Sequence, residues 1–330
     1  IDVSEVFEYP NSPFQPPAIY PEFESTSILN QTNDQNMVYA KVRNILKDLG
    51  FDNNRVDTPK WNPLSELIKR GDTIVIKPNL VIDEHPLGDA GALCTITHAS
   101  VIRPIIDYIL LATDGICSII ICDVPLQKAN WERLILISGL RSLVEYYQER
   151  DIDLKLLDLR REISFTKDEI ISSRDVKDRD PLGYSIINLG SKSELMPIIN
   201  DYKKFEITDY GKGTVSKHHN MTKNEYCIPN TILSADVFIN VPKLKTHRKA
   251  GLSCAMKNLI GINGDKRYIA HHRRGGERTG GDEYPEFNLG AWMKWHLWST
   301  LKRYPSLLPF TRFIKKAFLG ERSLREYSLE

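Results

Sequence analysis

Short runs of β-branched and aliphatic residues alternate along the chain with longer stretches in which apolar residues recur at helical spacing. The short runs, bounded by polar residues, glycine or proline, predict buried strands at 73–77, 118–122, 154–157 and 237–241. Helical spacing predicts helices at 35–49, 99–112 and 130–148, the last with a break near Gly139. Strands that alternate with helices are typical of βαβ units. The predicted fold class is therefore α/β, with a mostly parallel sheet, helices on both faces and a Rossmann-like core.

Changes in residue type divide the chain into four parts. Five prolines among aromatic residues predict that residues 1–35 form an extended N-terminal arm laid over the domain, with a partly disordered segment as the alternative. Residues 36–159 and 230–290 form the predicted α/β core, and the more charged stretch 160–229 is an inserted or second subdomain. Residues 291–330 predict aromatic and basic C-terminal helices. We expect these helices to pack on their own domain. The alternatives are contact with a second subunit and peripheral contact with a membrane surface.

Composition restricts the class of protein. With 330 residues, 41% hydrophobic and 26% charged, the chain has the composition of an ordinary globular protein. A net charge of +1 argues against nucleic acid as a partner. The five cysteines show no C-x-x-C spacing, so neither an iron–sulfur cluster nor a disulfide framework is expected. Because no apolar run spans a membrane and no signal-peptide pattern is present, a cytoplasmic location is expected.

Charged and polar residues follow the predicted strands at the end where ligands bind in open α/β sheets. They are Lys77, Asn79, Asp123, Lys243, Lys245, His247 and Lys257. Lysines in this position predict a site for an anionic small molecule, and the alternative is a solvated basic surface. His98 precedes the helix at 99–112, where the helix dipole favours the neutral imidazole that a general base needs. The stretch 250–260 predicts a further helix that starts near Gly251 and would bring Lys257 to the same cleft as His247.

A glycine-rich loop supplies a second group of candidates. Arg273 and Arg274 form a predicted clamp for a carboxylate or a phosphate. Asp282 and Glu283 are candidates to bind a substrate hydroxyl or a metal. The loop is predicted to close over the substrate, with a flexible surface loop as the alternative.

Several motifs occur in the order found in one uncharacterised family. They are IKPNL at 76–80, TITHASVIRPIIDYIL at 95–110, ICDVP at 121–125, PKLKTH at 242–247, CAMKNLIGINGDK at 254–266 and HHRRGGERTGGDEYP at 271–285. The chain thereby resembles the family called domain of unknown function 362. The resemblance covers about residues 40 to 290 and implies no particular reaction.

A more distant similarity concerns the spacing His247-x-x-Ala250-Gly251-x-Ser253-x-x-x-Lys257. It is similar to the motif of the nickel-pincer lactate racemases. That resemblance implies a nickel-pincer nucleotide carried on Lys257 and paired acid–base roles for His98 and His247. It further implies that His271 or His272 is the nickel ligand. The chain departs from the motif at 254–255, where Cys-Ala replaces Gly-Gly.

Three classes of function follow from these candidates. The leading hypothesis is an enzyme that racemises or epimerises an anionic or sugar-type substrate with His98 and His247 on opposite faces of a carbon. The second is a metal-assisted transferase with Asp123 or Asp282 on a divalent metal. For that class, the family resemblance implies a nucleotide-sugar or lipid-linked substrate of surface-polysaccharide synthesis. The third is a non-catalytic cofactor-binding module.

Overall fold

The structure is a computed structural model. It describes residues 8–283, except for 30, 168–169, 208 and 248–249, together with residue 293; of residues 167 and 170 it describes the backbone alone. The predicted C-terminal helices of 291–330 therefore lie, apart from residue 293, outside the described residues.

The helices begin where polar side chains cap them. The helices are α1 Met37–Asp48, α2 Gly88–Leu93, α3 Ala99–Thr113, α4 Trp131–Ile137, α5 Leu140–Gln148, α6 Asn230–Leu233 and α7 Ala255–Asn258. Asn36, His98 and Asn130 each accept a backbone N–H in the first turn of α1, α3 and α4. Gly139, with φ of 76°, separates α4 from α5, so the predicted break is confirmed.

The strands fall into one large sheet and several small ones. The strands are β1 Thr73–Pro78, β2 Ser118–Asp123, β3 Leu154–Asp158, β4 Glu162–Lys167, β5 Ile170–Val176, β6 Tyr184–Asn188, β7 Phe205–Glu206, β8 His219–Asn220, β9 Lys223–Pro229, β10 Val237–Val241, β11 Lys245–His247, β12 Gly251–Ser253 and β13 His272–Arg273. The large sheet has the order β10-β1-β2-β3, and all its strands are parallel. All four predicted core strands are thus confirmed in a single sheet.

Alternate residues of β1 pack into two different clusters. Ile74 and Ile76 belong to the main core, which α1, α3 and α5 cover. Val75 faces the opposite side, where Ile232 of α6 and Ile262 of the 3₁₀ turn Leu259–Ile262 pack against the sheet. Both faces of β1 are therefore buried, as expected for a parallel strand. The α/β fold with a Rossmann-like core is confirmed.

Residues 160–229 build smaller sheets of their own. The strands β4 and β5 form an antiparallel pair, and β6, β9 and β8 form a three-stranded sheet. A separate apolar cluster contains Ile199, Phe205 and Val215. The short strand β13 pairs with β7, so the glycine-rich loop begins beside this cluster.

The described part of the N-terminal arm is fastened to the core. Phe14 and Phe23 are buried. Arg103 of α3 donates to the carbonyl of Pro13 at 2.8 Å, and Asn36 donates to the carbonyls of Phe14 and Gln15. Because Arg103 and Asn36 are fully buried, these hydrogen bonds fix the course of the arm over the domain.

The helix predicted for 250–260 is wrong in its first half. Strands β11 and β12 pair as an antiparallel hairpin, with His247 opposite Gly251 and Lys245 opposite Ser253. Gly251 has φ of 71°, a left-handed conformation that turns the chain into β12 rather than starting a helix. The helix α7 begins only at Ala255.

A buried ion pair joins the carboxyl ends of β1 and β2. Nζ of Lys77 lies 2.6 Å from Oδ1 of Asp123, and the two side chains are 1% and 3% exposed. Asp123 also accepts the backbone N–H groups of Leu80 and Val124. Lys77 also donates to the carbonyl of Pro78 and to Oδ1 of Asn258 at 2.9 Å. Both charged groups are therefore fully hydrogen-bonded inside the protein.

We predict that Asp123→Asn destabilises the fold by about 3–5 kcal/mol, because it leaves the ammonium of Lys77 buried without its counter-charge. Urea unfolding followed by circular dichroism measures this free energy. The matched control is Asp153→Asn, since Asp153 is half exposed and pairs with exposed Lys155; it should change stability by less than about 0.5 kcal/mol. Equal stability of the two variants would contradict the structural role of the pair.

Candidate functional site

The order of the central sheet locates a crevice. The chain passes from β1 to β2 to β3 in one direction, and β10 then lies on the opposite side of β1. In open parallel sheets this reversal of direction leaves a crevice at the carboxyl ends of the two strands concerned, and ligands bind there. The strand order therefore predicts a crevice here between the ends of β1 and β10. Lys77 ends β1 at this edge, and the segment with Lys243 and Lys245 leaves β10 at the same edge.

Four lysines and one carboxylate meet at this edge. Lys245 donates from Nζ to the carbonyl of Thr95 at 2.7 Å. Burial, and after it the positive charge of Lys257, lowers the pKa of Lys245 to about 8. Lys243 and Lys77 lower this pKa further, while Asp123 opposes them. Lys77, Asp123, Lys243 and Lys257 therefore all lie near enough to Lys245 to act on its charge.

Two of the converging residues are held in the scaffold. The hydrogen bonds of the Lys77–Asp123 pair leave neither group directed at a ligand. Asn79 is likewise engaged in hydrogen bonds within the protein. Its side-chain amide donates to the carbonyl of Thr95 at 2.8 Å, and its backbone N–H donates to the hydroxyl of Thr97. The geometry thus favours a supporting role for these three residues and leaves ligand binding to the lysines that follow β10.

The hairpin and α7 present the other candidates. Lys245 and His247 are alternate residues of β11 and therefore share one face of the hairpin. Lys257 lies in α7, and burial lowers the pKa of its amine. Asn258, the next residue, donates to Asn240 and accepts from Lys77, which fastens α7 to the ends of β10 and β1. The hairpin and α7 thus bring Lys245 and Lys257 together, which is why Lys257 lowers the pKa of Lys245.

His98 has the neutral form that its position predicts. Burial, and after it the charge of Lys243, lowers the pKa of His98 to about 4. Its Nδ1 accepts the backbone N–H of Ser100 and lies 2.8 Å from the hydroxyl of that residue. The hydrogen-bonding pattern therefore assigns the proton to Nε2. A neutral imidazole in this tautomer donates a hydrogen bond from Nε2, so the geometry favours a donor over the predicted general base.

Tyr9 of the N-terminal arm covers His98. The two rings stack with centroids 4.0 Å apart and an angle of 14° between their planes, and Phe14 meets His98 edge-on at 5.3 Å. The hydroxyl of Tyr9 accepts a hydrogen bond of 2.5 Å from Nζ of Lys243. The arm thus contributes a residue to the site. Sequence reasoning missed Tyr9, because the proline-rich composition of the arm gives no sign of where it lies.

The residues of the glycine-rich loop are engaged with the chain around 201–206. Arg273 lies 3.3 Å from Asp201 and 3.4 Å from Asp282. Arg274 lies 3.5 Å from Glu206. The carboxylate of Glu283 accepts the backbone N–H of Gly275 at 3.3 Å. The predicted clamp and its acidic residues are therefore held in ion pairs and hydrogen bonds of the protein.

A metal at this loop finds little support in the geometry. His271 and His272 have their Nδ1 atoms 3.5 Å apart and their rings perpendicular. Among the described residues, no group of three or more His, Cys, Asp or Glu side chains is arranged to hold a metal ion. The described residues thus give no positive support to the nickel site that the racemase resemblance implies.

Comparison with known proteins identifies one family. Residues 191–317 match the model of a family described as domain of unknown function (DUF362). This segment is similar to the DUF362 family over somewhat more than a third of the chain. It contains the hairpin, Lys257 and the glycine-rich loop, whereas His98 and Asp123 precede it. No curated protein and no solved structure matches the chain significantly.

The DUF362 segment contains a further lysine that the sequence did not single out. Lys266 is 8% exposed, and its Nζ donates to the carbonyl of Val124 at 2.9 Å. Burial lowers its pKa to about 8, with Asp123 opposing this shift. In the sequence, a lysine beside glycine and aspartate gives no sign of burial. Lys266 adds a second amine of low pKa beside the Lys77–Asp123 pair.

We predict that Tyr9→Ala raises the pKa of His98 from about 4 towards the ordinary value of about 6.5, because removal of the stacked ring exposes the imidazole to water. Nuclear magnetic resonance of the imidazole protons over a pH series measures this pKa. Tyr9→Phe is the control, since it keeps the stacked ring and loses only the hydroxyl. An unchanged pKa in Tyr9→Ala would show that the arm does not shield His98.

Proposed function

We propose that the chain is an enzyme that racemises or epimerises an anionic small molecule at a carbon next to a carboxylate, in the crevice between β1 and β10. The observation that carries this proposal is the amine of Lys245, whose pKa of about 8 is set by burial and by neighbouring lysines. Groups with pKa values shifted in this way, in a crevice at a strand edge, are typical of acid–base residues.

Charge supports an anionic substrate. Lys243, Lys245 and Lys257 lie together, while the carboxylate of Asp123 is already paired with Lys77. A substrate carboxylate bound beside Lys243 and Lys257 balances this excess of positive charge. The same ammonium groups stabilise the negative charge that develops on the carboxylate oxygens when the neighbouring carbon loses its proton.

Lys245 and His247 are the proposed pair of proton-transfer groups. With a pKa of about 8, about one tenth of the Lys245 amines are neutral at pH 7, against fewer than about one in a thousand for an ordinary lysine. Two positions along one face of a strand are about 7 Å apart, enough for a carbon atom to lie between the two groups. Lys245 takes the proton from one face of that carbon, and His247 gives a proton to the other face. Configuration is inverted, and one proton enters for each proton that leaves.

This assignment revises the pair predicted from the sequence. The Nε2–H of His98 serves instead to donate a hydrogen bond to the substrate. A metal-assisted transferase has less support, because Asp123 is fully hydrogen-bonded and Asp282 is paired with Arg273. The cysteines Cys94, Cys117, Cys122, Cys227 and Cys254 are free thiols, which supports the proposed cytoplasmic location.

We expect the enzyme to exchange hydrogen for deuterium at the carbon next to the carboxylate when it is incubated in deuterium oxide with lactate, glycerate or glucuronate. Proton nuclear magnetic resonance follows the loss of the signal of the hydrogen bound to that carbon. Lys245→Met should lower the exchange rate by at least about a hundredfold, because it removes the proton-transfer group. Lys60→Met is the matched control, since Lys60 is an exposed lysine outside the crevice.

Isothermal titration with the same acids separates binding from catalysis. Lys257→Met should weaken binding by about tenfold, as expected for the loss of one charged contact. Saturable binding without exchange would favour the non-catalytic module. Full exchange in Lys245→Met would contradict the proposed role of Lys245.

A further inference from the structure

The hairpin formed by β11 and β12 turns its charged face inwards and its apolar face outwards. Its charged face, with Lys245 and His247, turns towards the crevice. Its other face carries Thr246, which pairs with Leu252. Leu252 is 65% exposed and Leu244, at the entrance to β11, is 56% exposed. A two-stranded hairpin at a protein surface normally turns its apolar face inwards, so this hairpin presents apolar side chains where water is expected.

The chain that follows extends the apolar surface. Met256 of α7 is 89% exposed, and the next turn exposes Leu259 and Ile260 to 42% and 45%. Single exposed apolar residues are common on proteins. Five large ones lie within 244–260, on the elements that carry the site lysines, and such a concentration is typical of an interaction surface. This apolar rim is defined as Leu244, Leu252, Met256, Leu259 and Ile260.

The apolar rim borders the positive charge of the site. Met256 and Lys257 are neighbours in α7, the first exposed and the second partly buried among the lysines. The rim therefore combines exposed aliphatic side chains with adjacent ammonium groups. A bilayer that contains anionic lipids offers both matching features, an apolar interior and a negatively charged surface. Among the described residues, no helix is long and apolar enough to cross a membrane.

We propose that the protein docks on the surface of an anionic lipid bilayer through the apolar rim, with the crevice opening towards the lipid headgroups. The aliphatic side chains enter the boundary between headgroups and acyl chains, and Lys243 and Lys257 meet the negative charge. This docking goes beyond the proposed function and names where the enzyme meets its substrate. It rests on the proposed function only for the statement that the substrate is anionic.

Co-sedimentation of the full chain with vesicles tests the docking. The probes are vesicles of phosphatidylcholine alone and vesicles in which about one third of the lipid is phosphatidylglycerol. We expect the wild type to sediment with the anionic vesicles and to bind the neutral ones at least about tenfold more weakly. The double variant Leu252→Glu/Met256→Glu should lose at least about tenfold in binding to anionic vesicles, because two charges replace the inserted side chains.

Leu136→Glu is the matched control, because Leu136 of α4 is 64% exposed, nearly as much as Leu252. It should bind vesicles like the wild type. The uncharged double variant Leu252→Gln/Met256→Gln should also lose vesicle binding, and its deuterium exchange and binding of the small acids, measured without vesicles, should be unchanged, because it adds no charge beside Lys257. The failure of docking and the failure of the proposed function are therefore measured separately.

Either of two results would overturn the proposal. One is equal binding of the double variant and the wild type to anionic vesicles. The other is a wild type that binds no vesicles but is a dimer by light scattering, and becomes a monomer in the double variant. That second result would assign the rim to contact with a second copy of this chain.

Discussion

The ion pair between Lys77 and Asp123 fixes the edge of the sheet on which the rest of the site is built. Its two side chains come from neighbouring strands, and its hydrogen bonds reach Asn258 and the backbone of the loop after β1. Gly261 passes directly over it, since a Cβ there would lie 2.8 Å from Nζ of Lys77. A buried charge pair of this kind is stable only when every polar group is satisfied. The chain therefore has little freedom in how it places α7 and the turn that follows.

The same pair explains why the crevice favours an anion. The charge of Asp123 opposes the low pKa of Lys245, but Asp123 is already paired with Lys77. Lys243, Lys245 and Lys257 are thus left with excess positive charge in a partly buried place. Burial and the neighbouring ammonium groups lower the pKa of Lys245, and burial lowers the pKa of Lys257. The hydroxyl of Tyr9 accepts a hydrogen bond from Lys243 and is neutral, so it adds no negative charge to the lysine cluster.

The sequence predicted the sheet and its edge because buried parallel strands have a distinct apolar pattern, and the charged residues follow those strands directly. It could not predict which charges pair with each other, since partners such as Lys77 and Asp123 are distant in the chain. The helix predicted from Gly251 failed because the pattern after β11 fits two structures, and pairing with β11 favoured the hairpin. The tautomer of His98 depends on Ser100, and its burial depends on Tyr9, so neither followed from helix position alone.

The pKa of Lys245 decides whether the lysines beside β10 form an acid–base site. Competitive labelling with acetic anhydride over a pH series, read by quantitative mass spectrometry, reports the titration of each lysine in the intact protein. The amine of Lys245 should titrate with a midpoint of about 8, well below the ordinary lysine value of about 10.4. A midpoint for Lys245 at that ordinary value would contradict a buried lysine cluster and, with it, the proposed acid–base site.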